Sequence, residues 1–230
     1  MSDSKPFQTS DKHISFFGAI IAGQSHELTN VFNIINELAG LQLDLLRAEE
    51  QGSPVNLPRL HEVAGRIQHQ VQRGETITRN INRFAHSVDL PMAVFDLREA
   101  IERVLFLADR SARLARVELV SELPPESVIL ESNPFCVQQA VFTCIDLALQ
   151  SASEVRRVAV DYAVRGDGVE IRVASADHLT RDKNTNDHLA LLQLLLESIG
   201  GSVVEGLEDE SSGTLVFRIP QHRGARSEVP

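Results

Sequence analysis

The amino-acid sequence predicts an α+β protein, in which a helical hairpin is followed by an α/β sandwich domain. Three observations support this fold class. Apolar residues recur in steps of three and four through about the first ninety residues, which is the period of an amphipathic helix. After Pro91 they follow short segments bounded by glycine and proline, as in strands. A chain of 230 residues with 43% hydrophobic residues is also long enough for one or two domains with a substantial core.

The first helix is predicted from about Asp11 to Glu50. Eight of the ten positions that are spaced by three and four residues from Ile14 to Leu45 are apolar. Gly52, which is followed by serine and proline, is typical of a helix end. Glycine adopts the left-handed conformation that often ends a helix, and proline cannot continue one.

A second helix is predicted after this break, with Asn56 as its cap and Pro58 in its first turn. Seven of the nine positions spaced by three and four residues from Leu60 to Val88 are apolar. Two long helices with a short connection predict an antiparallel hairpin over residues 11–90. Because two helices cover their apolar stripes incompletely, we expect a homodimer in which two hairpins form a four-helix bundle. The alternative is that the following domain covers the stripe.

The candidate catalytic residues lie in the middle of the first helix. With Leu28 at heptad position a, His26 falls at f, the position furthest from the seam. A neutral imidazole is a nucleophile that can attack a phosphoryl group near pH 7. Glu27 can accept a hydrogen bond from one ring nitrogen, and Asn30 can position a water or a phosphoryl oxygen. We therefore take His26, Glu27 and Asn30 as candidate catalytic residues.

The residues around this histidine predict a contact surface for a partner. Ala22 and Gly23 are small and lie one turn before it, while Thr29 and Asn33 lie on the same side further along. The alternative interpretation is an ordinary solvated helix face. The chain offers its own comparison, because the dipeptide His61-Glu62 also lies on a predicted helix and no role is assigned to it.

Composition argues against several other functions. A net charge of −10 disfavours nucleic acid or an anionic membrane as the main partner. The chain has no apolar run of about 18 residues and no apolar stretch of a signal peptide at its N-terminus. Cys136 and Cys144 lie in one apolar segment, so we expect no disulfide framework and a cytoplasmic location. No metal ligands are assigned, because a His-Glu-x-x-His site would need a histidine where Asn30 stands.

A second domain is predicted over residues 94–221, followed by a loose tail at 222–230. Helices are expected at 96–115, 133–153 and 187–199. Strands are expected at 117–123, 127–130, 155–164, 169–174, 202–207 and 213–219. This order suggests helices on one face of a largely antiparallel sheet.

Over about residues 12–220 the chain resembles the transmitter module of two-component sensor histidine kinases. Ser25-His26-Glu27-Leu28 resembles the phosphoacceptor H box, and its hairpin resembles the dimerisation and histidine-phosphotransfer domain. Three further segments resemble landmarks of the GHKL (Bergerat-type) ATP-binding domain and occur in the same order. They are Phe95-Asp96-Leu97, Val137-Gln138-Gln139 and Gly200-Gly201. The resemblance implies a dimeric four-helix bundle followed by an ATPase-like α/β sandwich.

The chain departs from this family where a nucleotide would bind. Leu147 stands where the family has an asparagine that helps to hold Mg²⁺, and residues 174–179 and 186–191 lack the glycines of the two glycine-rich boxes. The lid between the boxes is reduced to Thr180–Asn186. Because such glycines let backbone amides approach phosphates, we expect no cofactor on this chain, and Leu147 to be a core residue. The alternative to a lost site is a substitute nucleotide site that uses Asp146, Asp177 or Lys183.

The resemblance implies a histidine phosphotransferase. It would relay a phosphoryl group between aspartates of response-regulator receiver domains through His26, with Mg²⁺ held by the receivers. The second possibility is a phosphatase of the phospho-receiver, because Glu27-Leu28-Thr29-Asn30 resembles the family's Glu-x-x-Asn pattern. The third is a non-catalytic dimeric scaffold that binds a receiver or a kinase. An ATP-dependent kinase is the remaining alternative.

Overall fold

The computed structural model describes residues 5–54, 56–151, 157–175, 183–205 and 213–221. The chain divides into two compact units: Ile14–Arg83 is one, and Met1–His13 with Phe84–Pro230 is the other. The hairpin predicted for residues 11–90 thus corresponds to a unit that begins at Ile14 and ends at Arg83. Within the described ranges, no helix combines the length and the apolar character needed to cross a membrane.

The predicted hairpin consists of α1 (Lys5–Glu50) and α2 (Leu57–Ala85). α1 ends at Glu50 as predicted, and Gly52 follows with a φ of 90° while the Ser53 amide donates to the Ala48 carbonyl at 3.0 Å. α2 begins with the predicted cap, since the Asn56 side chain accepts a hydrogen bond from the Arg59 amide at 3.0 Å. Local capping chemistry therefore sets both ends of the connection.

The two helices pack through small and branched side chains. Ile20, Val31 and Leu38 on α1 and Val63 and Ile77 on α2 are at most 5% exposed. A Cβ atom on Gly74 would lie 3.4 Å from Cγ1 of Val31, so the absence of a side chain there permits a close approach. The seam differs from a strict heptad, because Ile14 is exposed while Ile20, at position g, is buried. A straight helix with 3.6 residues per turn drifts away from a repeat of seven in this way.

The second unit contains the three helices predicted for it and one additional strand. After α2 comes a short 3₁₀ turn, His86–Val88. The helices are α3 (Leu97–Ala115), α4 (Pro134–Ser151) and α5 (Lys183–Ser198). The strands are β1 (Ala93–Asp96), β2 (Glu118–Ser121), β3 (Ile129–Ser132), β4 (Arg157–Arg165), β5 (Gly168–Ser175), β6 (Ser202–Glu205) and β7 (Thr214–Pro220). The strand missing from the prediction is β1, whose last residue, Asp96, falls in the range predicted for the following helix.

Five strands form a sheet in the order β2-β4-β5-β7-β6, in which β2 pairs with β4 in parallel and the other pairs are antiparallel. β1 and β3 form a separate antiparallel ribbon. Alternate residues of β4, β5 and β7 enter one apolar core together with residues of α3, α4 and α5. The helices therefore cover one face of a largely antiparallel sheet, as predicted, and the fold class is α+β.

Candidate functional site

His26 lies in the middle of α1 and its side chain is exposed to solvent. Within the part of the chain that the structure describes, the imidazole makes no hydrogen bond, ion pair or ring contact. Both ring nitrogens are therefore available to a partner. Heptad position f accounts for this exposure, because it points away from α2.

The Glu27 carboxylate does not make the hydrogen bond to the His26 ring that the sequence allows. Glu27 turns toward α2, and its Oε2 accepts a hydrogen bond from Nη2 of Arg73 at 2.6 Å. The Glu27 side chain is 10% exposed and that of Arg73 is 37% exposed. The physical reason is register: both residues occupy position g of their helices, which flanks the seam and favours ion pairs between helices. Any influence of Glu27 on His26 is therefore indirect.

The remaining candidate residues lie around His26 on the same helix. Ala22, Asn30 and Asn33 are exposed, and Gly23 is half-buried with room for a Cβ atom. The Asn30 and Asn33 amides make no hydrogen bond to any described group. The Thr29 hydroxyl, by contrast, donates to the Ser25 carbonyl at 2.9 Å, within its own helix. The surface beside His26 thus offers two unengaged amide groups and a stretch of small residues.

An apolar groove of about 510 Å³ runs along another side of the hairpin unit. Phe32, 63% exposed, and Val71, 44% exposed, form part of its walls. The groove is lined by Leu28, Val31, Phe32, Ile35, Val71, Gly74, Glu75, Thr78, Arg79 and Asn82. Exposed aromatic and aliphatic groups in one groove mark a surface that is suited to burial against another apolar surface.

The second unit contains the positions where the resembling family holds its nucleotide. Leu147 is buried in the apolar core, as expected, and so is Leu149. A buried leucine offers no ligand to Mg²⁺, so Leu147 does not fit a metal-nucleotide site. Asp146, one of the proposed substitutes, accepts a hydrogen bond from Gln150 at 2.7 Å and lies 3.2 Å from Nε2 of His188.

Two parts of the nucleotide-site prediction lie outside the described residues. Asp177 and residues 180–182 of the predicted lid fall in 176–182, and the side chain of Lys183 is likewise not described. The remaining lid residues, 183–186, form the first turn of α5. Among the described residues, no group of three or more histidine, cysteine, aspartate or glutamate side chains is arranged to hold a metal ion.

Arg73, the partner of Glu27, is not among the residues predicted from the sequence. It lies 46 positions from Glu27 in the chain, so no local pattern connects them. The heptad pattern of α2 nevertheless contained a signal. When Leu60 is taken as position a, position g is occupied by Arg59, Arg66 and Arg73. Pairing the g positions of the two helices would have identified Arg73 as a partner for Glu27.

No protein-family model matches the chain, and no curated protein matches it by sequence. The catalytic domain of the histidine kinase ThkA is similar in structure at 15% identity, with a TM-score of 0.49, covering 57% of this chain and 98% of that domain. The histidine kinase AdeS of Acinetobacter baumannii has 14% identity and a TM-score of 0.46, covering 80% and 95%. Full-length ShkA in complex with AMPPNP has 15% identity and a TM-score of 0.49, covering 88% of this chain and 45% of ShkA.

ThkA and AdeS are histidine kinases. At 14–15% identity the likeness concerns the fold alone. The chain spans less than half of full-length ShkA.

Proposed function

We propose that this protein is a histidine phosphotransferase of two-component signalling, which relays a phosphoryl group between aspartates of receiver domains through His26. The observation that carries the proposal is the exposed imidazole, which makes no contact with any described group. An unengaged neutral imidazole in mid-helix is accessible to a folded partner and is nucleophilic near pH 7. The H-box resemblance of residues 25–28 supports the same role.

The proposed reaction has two steps. A ring nitrogen of His26 attacks the phosphorus of an aspartyl phosphate; the P–O bond to the aspartate breaks and an N–P bond forms. The aspartate leaves as a carboxylate. In the second step the carboxylate of another receiver attacks the phosphohistidine, and His26 leaves as a neutral imidazole. The receivers hold the Mg²⁺ that both steps use, and this chain binds no nucleotide.

The neighbours of His26 have distinct roles in this proposal. Asn30 and Asn33 donate hydrogen bonds from their amides to the partner or to a phosphoryl oxygen, because neither is engaged within the hairpin. Ala22 and Gly23 leave room for the partner to approach the imidazole. Thr29 contributes mainly its methyl group, since its hydroxyl proton is already donated to Ser25.

We also propose that the apolar groove is covered by a second copy of this chain, which forms a four-helix bundle. Both helices contribute to the groove, so a second hairpin can extend their apolar seam. Glu75 and Arg79 lie one turn apart in the groove, and a copy related by a two-fold axis presents the same pair in reverse, so that opposite charges meet. Phe32→Glu is expected to give a monomer in sedimentation, and an unchanged dimer would contradict this arrangement.

Transfer of label from a phospho-receiver tests the proposed function. The purified protein is mixed with radiolabelled phospho-receiver, and label is expected to appear on the wild type and not on His26→Ala. Absence of label from the wild type would contradict the relay, as would equal labelling of His26→Ala. Because the relay needs no nucleotide, ATP should not label the protein.

A phosphatase is the second candidate, favoured by the exposed and unengaged amide of Asn30 one turn from His26. Here Asn30 would orient water toward the aspartyl phosphate. Asn30→Ala should then abolish dephosphorylation of the receiver, while His26→Ala should retain it. The reverse pattern supports the relay, and indifference to both substitutions supports a scaffold.

A further inference from the structure

The ion pair between Glu27 and Arg73 brings a cation to the carboxylate of the residue that directly follows His26. Glu27 directly follows His26, so their Cα atoms lie about 3.8 Å apart. The Arg73 guanidinium meets the Glu27 carboxylate at 2.6 Å and keeps 37% of its side chain exposed. A guanidinium carries five N–H donors, and within the described chain Glu27 is the partner of this one. Its other donors therefore remain available.

The Arg73 guanidinium lies beside the g side of α1, which is not the side that lines the groove. On α1, the g positions Ile20 and Glu27 are buried, whereas Phe32, at position e, is exposed in the groove wall. α1 therefore turns its g flank toward α2. The surface that leads from His26 across Glu27 reaches Arg73, and burial of the groove by a second copy would leave this surface accessible.

A phosphoryl group in transfer needs positive charge at this place. Its charge is spread over three oxygens, and arginine matches phosphate oxygens with planar, paired donors. The whole chain carries a net charge of −10, which disfavours an approaching anion unless a local cation offsets it. The nearly buried Glu27 carboxylate fixes one edge of the guanidinium, so less side-chain entropy is lost when the remaining donors engage.

We propose that Arg73 binds the phosphoryl group that His26 accepts, and that Glu27 is a positioning residue for Arg73. The inference rests on the proposed function in that His26 carries the phosphoryl group. Arg73 donates hydrogen bonds to the phosphoryl oxygens and transfers no proton. Glu27 acts by holding Arg73 in place, a role that does not require contact with the imidazole.

Chemical phosphorylation with phosphoramidate tests this without a receiver. His26 attacks the phosphorus, the P–N bond of the reagent breaks, the new N–P bond forms, and ammonia leaves. The full chain is labelled as wild type, Arg73→Lys, and the double variant Glu27→Leu/Arg73→Met, with His26→Ala as the background from the other histidines. Phosphohistidine is followed by ³¹P NMR for its rate of formation and its lifetime.

The double variant separates a charge role from a structural one. Replacing a partly buried ion pair by apolar side chains of similar size often preserves stability, which thermal unfolding checks. We expect it to form phosphohistidine about tenfold more slowly, or slower still, because charge-assisted hydrogen bonds are lost. Arg73→Lys should fall between it and the wild type. Labelling of the double variant at the wild-type rate would overturn the inference.

Arg66→Met is the matched control. Arg66 occupies the same heptad position two turns earlier on α2, is exposed, and makes no ion pair with any described residue. It should label at the wild-type rate, and an equal loss in this variant would contradict a specific role for Arg73.

A receiver assay on the same proteins distinguishes failure of this inference from failure of the proposed relay. Receiver labelling that does not depend on Arg73 would contradict this inference alone, whereas Arg73-dependent labelling by phosphoramidate without receiver transfer would contradict the relay alone.

Discussion

The dipeptide His-Glu occurs on both helices of the hairpin, and its two surroundings differ. Both histidines are exposed. Glu27 is buried and pairs with Arg73 on the other helix, whereas Glu62 is half exposed and pairs with Arg59 on its own helix at 2.6 Å. Seam positions account for the difference, because Glu27 occupies position g and Glu62 occupies position c, which faces away. The heptad register, rather than the dipeptide, buries Glu27 and gives it a cationic partner on the other helix.

The residues that follow each dipeptide also differ. Leu28, Thr29 and Asn30 follow the first, and Val63, Ala64 and Gly65 follow the second. The second motif therefore lacks both the amide of Asn30 and the ion pair across the hairpin. This gives a direct way to separate the contribution of the local motif from the contribution of its position.

The largest expected effect comes from rebuilding the motif at the second site. In a His26→Ala background, Ala64→Thr/Gly65→Asn gives His61 the same following residues as His26 except for Val63 in place of leucine, and a Cβ atom at Gly65 meets nothing within 4 Å. If position matters, labelling from the phospho-receiver should stay at least about 100-fold below wild type, because Glu62 pairs with Arg59 in an exposed pair on its own helix and not with a cation held across the hairpin. Label on His61 at a rate near that of the wild type would show that the motif alone is sufficient.

The second prediction compares the two glutamates by stability. Glu27→Ala is expected to lower the free energy of unfolding by about 1.5–3 kcal/mol, because it removes a charge-assisted hydrogen bond from a mostly buried carboxylate. Glu62→Ala should cost about 0.3–0.5 kcal/mol, as is usual for an exposed pair within one helix. Urea unfolding with a common slope measures both. Equal losses would mean that the pair across the hairpin contributes no more than an exposed one.

The third prediction concerns the coupling within each pair. Double-mutant cycles for Glu27 with Arg73 should give about 1–2 kcal/mol, against about 0.2–0.5 kcal/mol for Arg59 with Glu62. Near 1 M salt the Debye length falls to about 3 Å, so the exposed coupling should vanish while part of the partly buried coupling persists. The two cycles measured at low and high salt test this. Loss of both couplings in salt would place the Glu27–Arg73 pair among ordinary surface pairs.

Local rules were sufficient to predict most helices and the exposure of His26. Asn56, Gly52 and the three-four spacing identify the helix ends and the seam, and the structure has the same connection. The three helices of the second unit follow equally from local patterns. In each case the deciding interactions lie within a few residues, where a single sequence carries the necessary information.

Contacts between distant residues could not be predicted in the same way. The Glu27–Arg73 pair depends on how far one helix is shifted along the other, which the periodicity of either helix alone does not determine. The parallel pairing of β2 with β4 joins strands that are separated by β3 and α4. The roles of Glu27, Asn30 and the other candidate residues stay predictions until they are measured.

The smallest expected effect comes from Thr29→Ala, which makes the first motif read His-Glu-Leu-Ala, close to His-Glu-Val-Ala at the second site. The Thr29 hydroxyl already donates to the Ser25 carbonyl at 2.9 Å, so its proton is not available to a phosphoryl group. Alanine also has the higher helix propensity, so the free energy of unfolding should rise by no more than about 0.5 kcal/mol. Label transfer from the phospho-receiver should fall by less than about threefold, which is under 1 kcal/mol. A tenfold loss with unchanged stability would mean that the hydroxyl leaves Ser25 and contacts the partner, and Thr29→Ser would then restore the rate.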